Sequence, residues 1–554
     1  MKTRIITMSL LASVALLTSC EKVLEETVYS KLTDELAFST GANAQAATDE
    51  MYESLHSAFR TPYFYINDMA TDCGYRAGKE FETLNDEAIK TSSENESFWT
   101  YMYKVASRAN IVLDNIPDMD DSLFGTESVS TKDQMLAEAH FMRAFAYMGL
   151  TDAYYQVPLV TTTDVDVTAP AEYTDINTIE KAIEEDLLAA IPVLPLNHPV
   201  TEASRPTKGA AMAYLCRLYM RKAGRARVAG EDASALWKKA LDQVNAVLDL
   251  EGKEYYLLPK VADIYVANTE EGKYNKEIIF AVRATDQVTT GSWDIGLSWT
   301  PWDCNYGWST FSMPLELAWS FPEGDARFAS DMVFTTYSRY LRTDKPKYAN
   351  CMFFFPTSIE KVGLMIKEWT GPALEAKSAE NDAVYTRKYE YYQAGSYNYD
   401  TPNNVILCRF ADMILCKAEI LNELNGPSAE AVALLNRIRS RAGISQYNAS
   451  AFATKDALRS ALCDERAWEF HSEGLRRPDL IRMGLWSDRM NKYIAAIKEK
   501  AGWKERNEGR TSGYYESMYV AYPKNLTEDS ILKYMPVPSR ELNVNPDLSG
   551  ARDF

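Results

Sequence analysis

Aromatic rings are unevenly spread along this chain. Four of its eleven tryptophans, Trp293, Trp299, Trp302 and Trp308, fall within sixteen residues, joined by Tyr306 and Phe311. Asp294, Asp303 and Asn305 lie among them. Flat rings interleaved with carboxylates and amides are the chemistry of sugar recognition: the C–H face of a pyranose stacks on a ring while polar neighbours take its hydroxyls. Pro301, Gly296 and Gly307 punctuate the segment, so it reads as a loop. A hydrophobic minicore is the competing reading, because Trp299, Trp302 and Tyr306 also fit helical spacing. A second candidate runs from Tyr63 to Lys79, where Tyr65, Asn67, Asp72, Tyr75 and Arg76 offer a similar mix. The expected ligand-binding set is therefore Trp293, Trp299, Trp302, Tyr306 and Trp308, with Tyr75 and Arg76.

Catalysis has less to start from. Glu465, Glu469 and Glu473 stand at i, i+4 and i+8, which places neighbours about 6 Å apart on one helix face. Two carboxylates at about 5–5.5 Å can serve a retaining glycosidase. A catalytic pair must converge in a cleft, however, and these three share one helix with Arg466, Arg476 and Arg477 close by. Ion pairing is the expected role, and Asp412 and Glu419 are read the same way. No GxSxG, HExxH, GxGxxG or GxxxxGK[ST] pattern occurs. The four histidines are scattered and no CxxC is present, so neither a metal site nor a cofactor is expected. The chain is expected not to be an enzyme.

The first residues carry a different chemistry. Lys2 and Arg4 precede an apolar run of thirteen residues, Ile5 to Leu17, which closes in Leu17-Thr18-Ser19-Cys20. A membrane span needs roughly 20 residues, so the run reads as a secretory signal. Small residues before a cysteine fit a lipobox, with Cys20 as the lipidation site. The acidic Glu21, Glu25 and Glu26 that follow resemble surface-export signals. Seven cysteines remain without close pairs, which is not a disulfide framework. The formal charge of -19 repels phosphate backbones, so nucleic acid is not an expected partner. Arg339, Arg342, Lys345 and Lys347 form a local basic stretch, read as a solvated loop.

Long amphipathic helices must position these groups. The 3.6-residue pattern predicts helices near 40–59, 96–116, 131–154, 175–193, 207–223, 233–250, 410–425, 428–442 and 455–473. Asp175 is suited to cap one of them and Gly443 to stop another. Between about 255 and 400, short apolar runs such as Ile278-Ile279-Phe280-Ala281-Val282 read as strands among long loops. The fold class is mainly α: a tetratricopeptide-like scaffold of helical hairpins with a loop-rich region containing short strands.

Several blocks, in order, resemble the SusD/RagB family of outer-membrane nutrient-binding lipoproteins. They include Glu138-Ala139-His140-Phe141-Met142-Arg143-Ala144 followed by Val157-Pro158-Leu159-Val160, then Phe321-Pro322-Glu323-Gly324-Asp325-Ala326-Arg327. Further on come Arg409-Phe410-Ala411-Asp412, Glu465-Arg466-Ala467-Trp468-Glu469-Phe470, Glu473-Gly474-Leu475-Arg476-Arg477 and Met535-Pro536-Val537-Pro538. Three departures stand out. Tyr155-Gln156 replaces a glycine-containing pair, Pro478 stands where the family usually has an aromatic residue, and Ser549-Gly550 replaces a common "QN" ending. None touches identifiable ligand chemistry. The resemblance implies a lipid-anchored protein of the outer membrane, facing the cell exterior, that captures oligosaccharides. It implies a SusC-like TonB-dependent transporter as partner. Capture of peptides, as in the RagB type, is the alternative. The expected organisation is a signal peptide over 1–19, a lipidated tether over 20–38, an N-terminal helical part over 39–250, and a C-terminal part over 251–554 carrying the loop-rich ligand region, packed as one globular unit.

Overall fold

The computed structural model describes residues 38–69, 71–74, 89–124, 130–166, 169–267, 269–284, 295–299, 310–328, 332–335, 353–356, 364–367, 384–389, 401–500 and 532–550. The expected signal peptide, the tether with Cys20 and the basic stretch at 339–347 lie outside these residues.

All nine expected helices are present. They are α1 (Gly41–Phe59), α3 (Ser93–Asn115), α4 (Lys132–Tyr154), α5 (Ile176–Ala190), α6 (Lys208–Val228), α7 (Ser234–Leu248), α10 (Phe410–Asn425), α11 (Ala429–Arg441) and α12 (Lys455–Phe470). Their starts follow from capping chemistry. Thr40, Ser92 and Asp175 each accept a hydrogen bond from a first-turn amide, and Thr131 and Gln134 form a reciprocal capping box on α4. Gly443 follows α11 at φ +74°, a left-handed stop that glycine adopts without steric cost. Each helix packs on its sequence neighbour from α3 to α7, and α10 packs on α7, α11 and α12. This chain of antiparallel hairpins is the tetratricopeptide-like scaffold.

Three two-stranded antiparallel ladders appear among the described residues: β1 (Ile278–Val282) with β6 (Val405–Arg409), β2 (Val333–Thr335) with β5 (Val384–Thr386), and β3 (Phe353–Pro356) with β4 (Leu364–Lys367). In the first, Ile278 faces Arg409 and Val282 faces Val405. A hydrophobic cluster runs through both halves of the chain, from Ala44, Phe98 and Phe141 to Leu215, Ile414, Leu462 and Met535.

Among the further helices that were not anticipated are α2 (Pro62–Asn67), α9 (Leu315–Ser320), α13 (Arg476–Arg482) and α14 (Trp486–Lys500), beside the single turn α8 (Ile295–Trp299) and the C-terminal α15 (Ser539–Val544). The first corrects the loop reading for 63–67, while 75–79 lie outside the described residues. Tyr65 and Asn67 belong to α2, which is buried along its whole length. Asp72 is committed to a bidentate pair with Arg476, at 2.7 Å for each bond.

Buried charge locks the scaffold. Glu465 meets Arg327 at 2.7 Å and Arg439 at 2.9 Å, and Glu469 meets Arg327 at 3.1 Å and also Arg441. Glu473 takes Lys388 at 2.7 Å and Arg409 at 2.9 Å, while Arg409 reaches Glu277 beside β1. These carboxylates are ion-paired, as expected, but with other partners. Arg466 instead pairs with Asp412 and Asp479, and Arg477 donates to the carbonyls of Ile66, Leu532 and Lys533. A helix brings i+4 neighbours close, yet an arginine on the same helix points off the carboxylate face. The cations therefore come from other elements. All three carboxylates are buried, so none is placed to meet a substrate. Glu419 is likewise held by Arg482 at 2.8 Å.

Two consequences follow for the region between α2 and α12. Gly474 has φ +73°, and a Cβ there would collide with the Tyr63 ring. Only glycine lets this turn close over α2. Its N–H donates to Asp68 at 2.8 Å, yet burial dominates and pushes that carboxyl up to about 7.

Candidate functional site

The last turn of α1, the turn into α2 and the first turns of α3 border a groove of about 460 Å³, a size suited to a small ligand. Each element contributes for a local reason. α1 ends at Phe59, whose ring is buried, which leaves His56, Ser57 and Arg60 at the rim. α3 buries Phe98, Met102 and Val105 on one side. An adjoining side repeats every four residues as Ser93, Ser97 and Tyr101, and all three line the groove. Ser298 on α8 and Thr310 close the remaining wall.

The lining is rich in hydroxyls: Ser57, Thr61, Ser93, Ser97, Ser298 and Thr310. A guanidinium at Arg60, an imidazole at His56 and a carboxylate at Glu94 add charged partners. Glu94 is 7% exposed and lies in the first turn of α3, where the helix dipole favours negative charge. Ser93 Oγ donates to it at 2.9 Å. Tyr101 is half-buried and supplies a ring with a polar edge. Short donors and acceptors around one aromatic face match a ligand made of hydroxyls and C–H surface.

Trp299 does not serve as expected. It is 0% exposed, packed at 5.2 Å from Phe311, 5.6 Å from Phe64 and 6.0 Å from Tyr389 between ring centroids. Its Nε1 has no acceptor. The competing minicore reading holds for this ring and for Phe311, because α8 turns Trp299 inward against α2. Trp293, Trp302, Tyr306 and Trp308 lie outside the described residues, as do Tyr75 and Arg76. Ser298 and Thr310, which flank the undescribed stretch 300–309, both line the groove.

His56, Arg60 and Tyr101 were missed as site residues. Trp99, Tyr101 and Tyr103 alternate on α3, and the first and last are packing residues. Trp99 is buried against Tyr154, and Tyr103 donates to the Pro158 carbonyl at 2.8 Å. Tyr101 lies on the other side of α3. The four-residue polar step Ser93, Ser97, Tyr101 was the available signal.

Two family models match this chain: "SusD family" over residues 276–551 and "Starch-binding associating with outer membrane" over residues 22–220. SusD-like protein P25 of Formosa agariphila is 25% identical, aligned over 96% of this chain and 95% of its own. A SusD homolog from Bacteroides thetaiotaomicron superposes with a TM-score of 0.68 at 21% identity, covering 92% of this chain and 96% of that one. Surface glycan-binding protein A from Bacteroides thetaiotaomicron, solved in complex with laminarihexaose, superposes with a TM-score of 0.63 at 18% identity, covering 92% and 98%. Matches of this extent, on a scaffold of helical hairpins carrying the expected sequence blocks, place the chain in the SusD/RagB family.

Proposed function

We propose that this protein captures oligosaccharides at the cell surface and passes them to a SusC-like TonB-dependent transporter, without turning them over. The hydroxyl-lined groove beside Tyr101 carries the reading. Its donors, acceptors and single ring suit a neutral sugar better than a peptide, which asks for backbone pairing along an open strand edge. The relative solved with laminarihexaose supports a glycan as the ligand class. In this reading Cys20 carries the lipid that holds the protein to the outer membrane, facing outward. The family description places relatives at that membrane. Residues 39–250 and 251–554 form one working unit in this reading, and Trp293, Trp302, Tyr306, Trp308, Tyr75 and Arg76 remain proposed ligand contacts.

Catalysis is not part of the proposal, because Glu465 and Glu469 on α12, and Glu473 in the turn beyond its end, are all held by buried cations. Calorimetric titration with neutral oligosaccharides and with peptides is the test. Binding of an oligosaccharide at micromolar to millimolar strength, weakened at least tenfold in Tyr101→Ala, is expected. Peptide binding with no glycan binding overturns the proposal.

A further inference from the structure

A second pocket lies on another part of the molecule, between the C-terminal ends of α4 and α6 and the helix α13. It holds about 200 Å³. Ile176, Val228, Pro478 and Ile481 form apolar walls, and the rings of Tyr155 and Tyr534 meet at 5.0 Å between centroids. At the other end Arg221, Arg225, Arg482 and Lys533 gather around the carboxylate of Asp152.

Two of its cations have unused capacity. Arg221 donates through Nε to Glu180 at 3.2 Å and through Nη1 to Thr151 at 2.7 Å and Asp152 at 2.9 Å. Its Nη2 is buried without an acceptor. An N–H left unsatisfied inside a protein carries a penalty, and an anion that drew the guanidinium toward the pocket would relieve it. Lys533 is half-buried, and its ammonium lies 5.5 Å from the centre of the Tyr534 ring. Desolvation shifts its ammonium below the ordinary lysine range. The remaining charges are balanced: Arg225 pairs with Glu180, and Arg482 with Glu419 and Asp479.

The backbone points the same way. Tyr155 has φ +68°, one of two non-glycine residues in the left-handed region among the described residues. A side chain at that φ is strained, and such strain gathers where a residue is held for a task. Here it sets the ring against Tyr534. Two of the three departures from the family pattern, Tyr155 and Pro478, line this one pocket.

We infer that this pocket is a binding site for a monocarboxylate carrying one six-membered ring, with the carboxylate on Arg221 and Lys533 and the ring against Tyr155 and Tyr534. The size agrees: an apolar cavity of about 150 Å³ takes a benzene ring. The walls are apolar, so an aromatic acid fits better than a sugar acid, and the two are separable by experiment. The site is independent of the oligosaccharide groove.

The test titrates the full mature chain with 4-hydroxybenzoate and, separately, with glucuronate, followed by ligand-observed NMR and calorimetry. Binding on the order of 0.1–1 mM is expected, weakening as salt rises. Lys533→Met should weaken it at least tenfold. Val228→Trp, at an exposed wall position, should block it while leaving the fold intact. Tyr101→Ala should leave it unchanged. Binding of glucuronate alone keeps the site and assigns it to sugar acids. Failure of both ligands to bind, or binding unchanged in Lys533→Met and Val228→Trp, overturns the inference.

Discussion

Replacing Trp299 by alanine separates a core ring from a sugar platform. The ring is fully buried, with Phe64 edge-on, Phe311 tilted and Tyr389 nearly parallel. Neighbours cannot easily collapse into the space. Tyr389 is pinned by its hydroxyl, which donates to the Ser472 carbonyl at 2.8 Å, and Phe64 is fixed within α2. Truncating a buried tryptophan costs about 3–5 kcal/mol. The lost Nε1 was unsatisfied, and its removal returns roughly 1 kcal/mol. The net expectation is a destabilisation of about 3 kcal/mol. Trp299→Phe keeps most of the ring and removes the stranded N–H, so its loss should stay near 1 kcal/mol. Urea unfolding followed by circular dichroism at 222 nm measures both without relying on tryptophan emission. If Trp299→Ala unfolds at the wild-type midpoint yet fails to bind oligosaccharide, the packing argument is wrong.

Other perturbations test other parts of the account. Glu469→Gln leaves Arg409, Arg441 and Arg327 short of a buried countercharge and should cost about 3–5 kcal/mol, read by the same urea titration. The Asp68 carboxyl is raised to about 7 by burial, so its contribution to stability is full below its unfolded value near 4 and is lost as pH rises through 7. Asp68→Asn should therefore gain stability over wild type between pH 5 and pH 7.5, and a gain independent of pH would refute the assignment. Tyr101→Ala, at a half-exposed position, should weaken oligosaccharide binding at least tenfold with the thermal midpoint nearly unchanged. Cys20→Ala should abolish incorporation of labelled fatty acid; equal labelling of both proteins would exclude the anchor.

The helices were legible because each buries one stripe of a long repeat and starts at a capping side chain, as at Thr131 and Asp175. Period and cap are both local, so sequence exposes them. α13 and α14 escaped notice because Pro478 and polar residues break the stripe, and their burial depends on partners far along the chain. The carboxylates on α12 were legible as ion-paired, but their partners were not. Arg327 and Arg409 lie 138 and 60 residues from Glu465 and Glu469, and only the fold brings them in. At the groove, composition drew attention to tryptophans. Trp299 has the residue type of a platform and the position of a core ring, a difference set by the inward turn of α8. His56, Arg60 and Tyr101 belong to helix ends that meet only in the folded chain.

The most direct test is to locate a bound oligosaccharide. A crystal structure of the mature protein with a neutral oligosaccharide should show the sugar against Tyr101, within hydrogen-bond reach of His56, Arg60 and the serines of α3. Sugar bound elsewhere, in the pocket of Tyr155 and Tyr534 or beside Trp468, with the Tyr101 groove empty, would contradict the account.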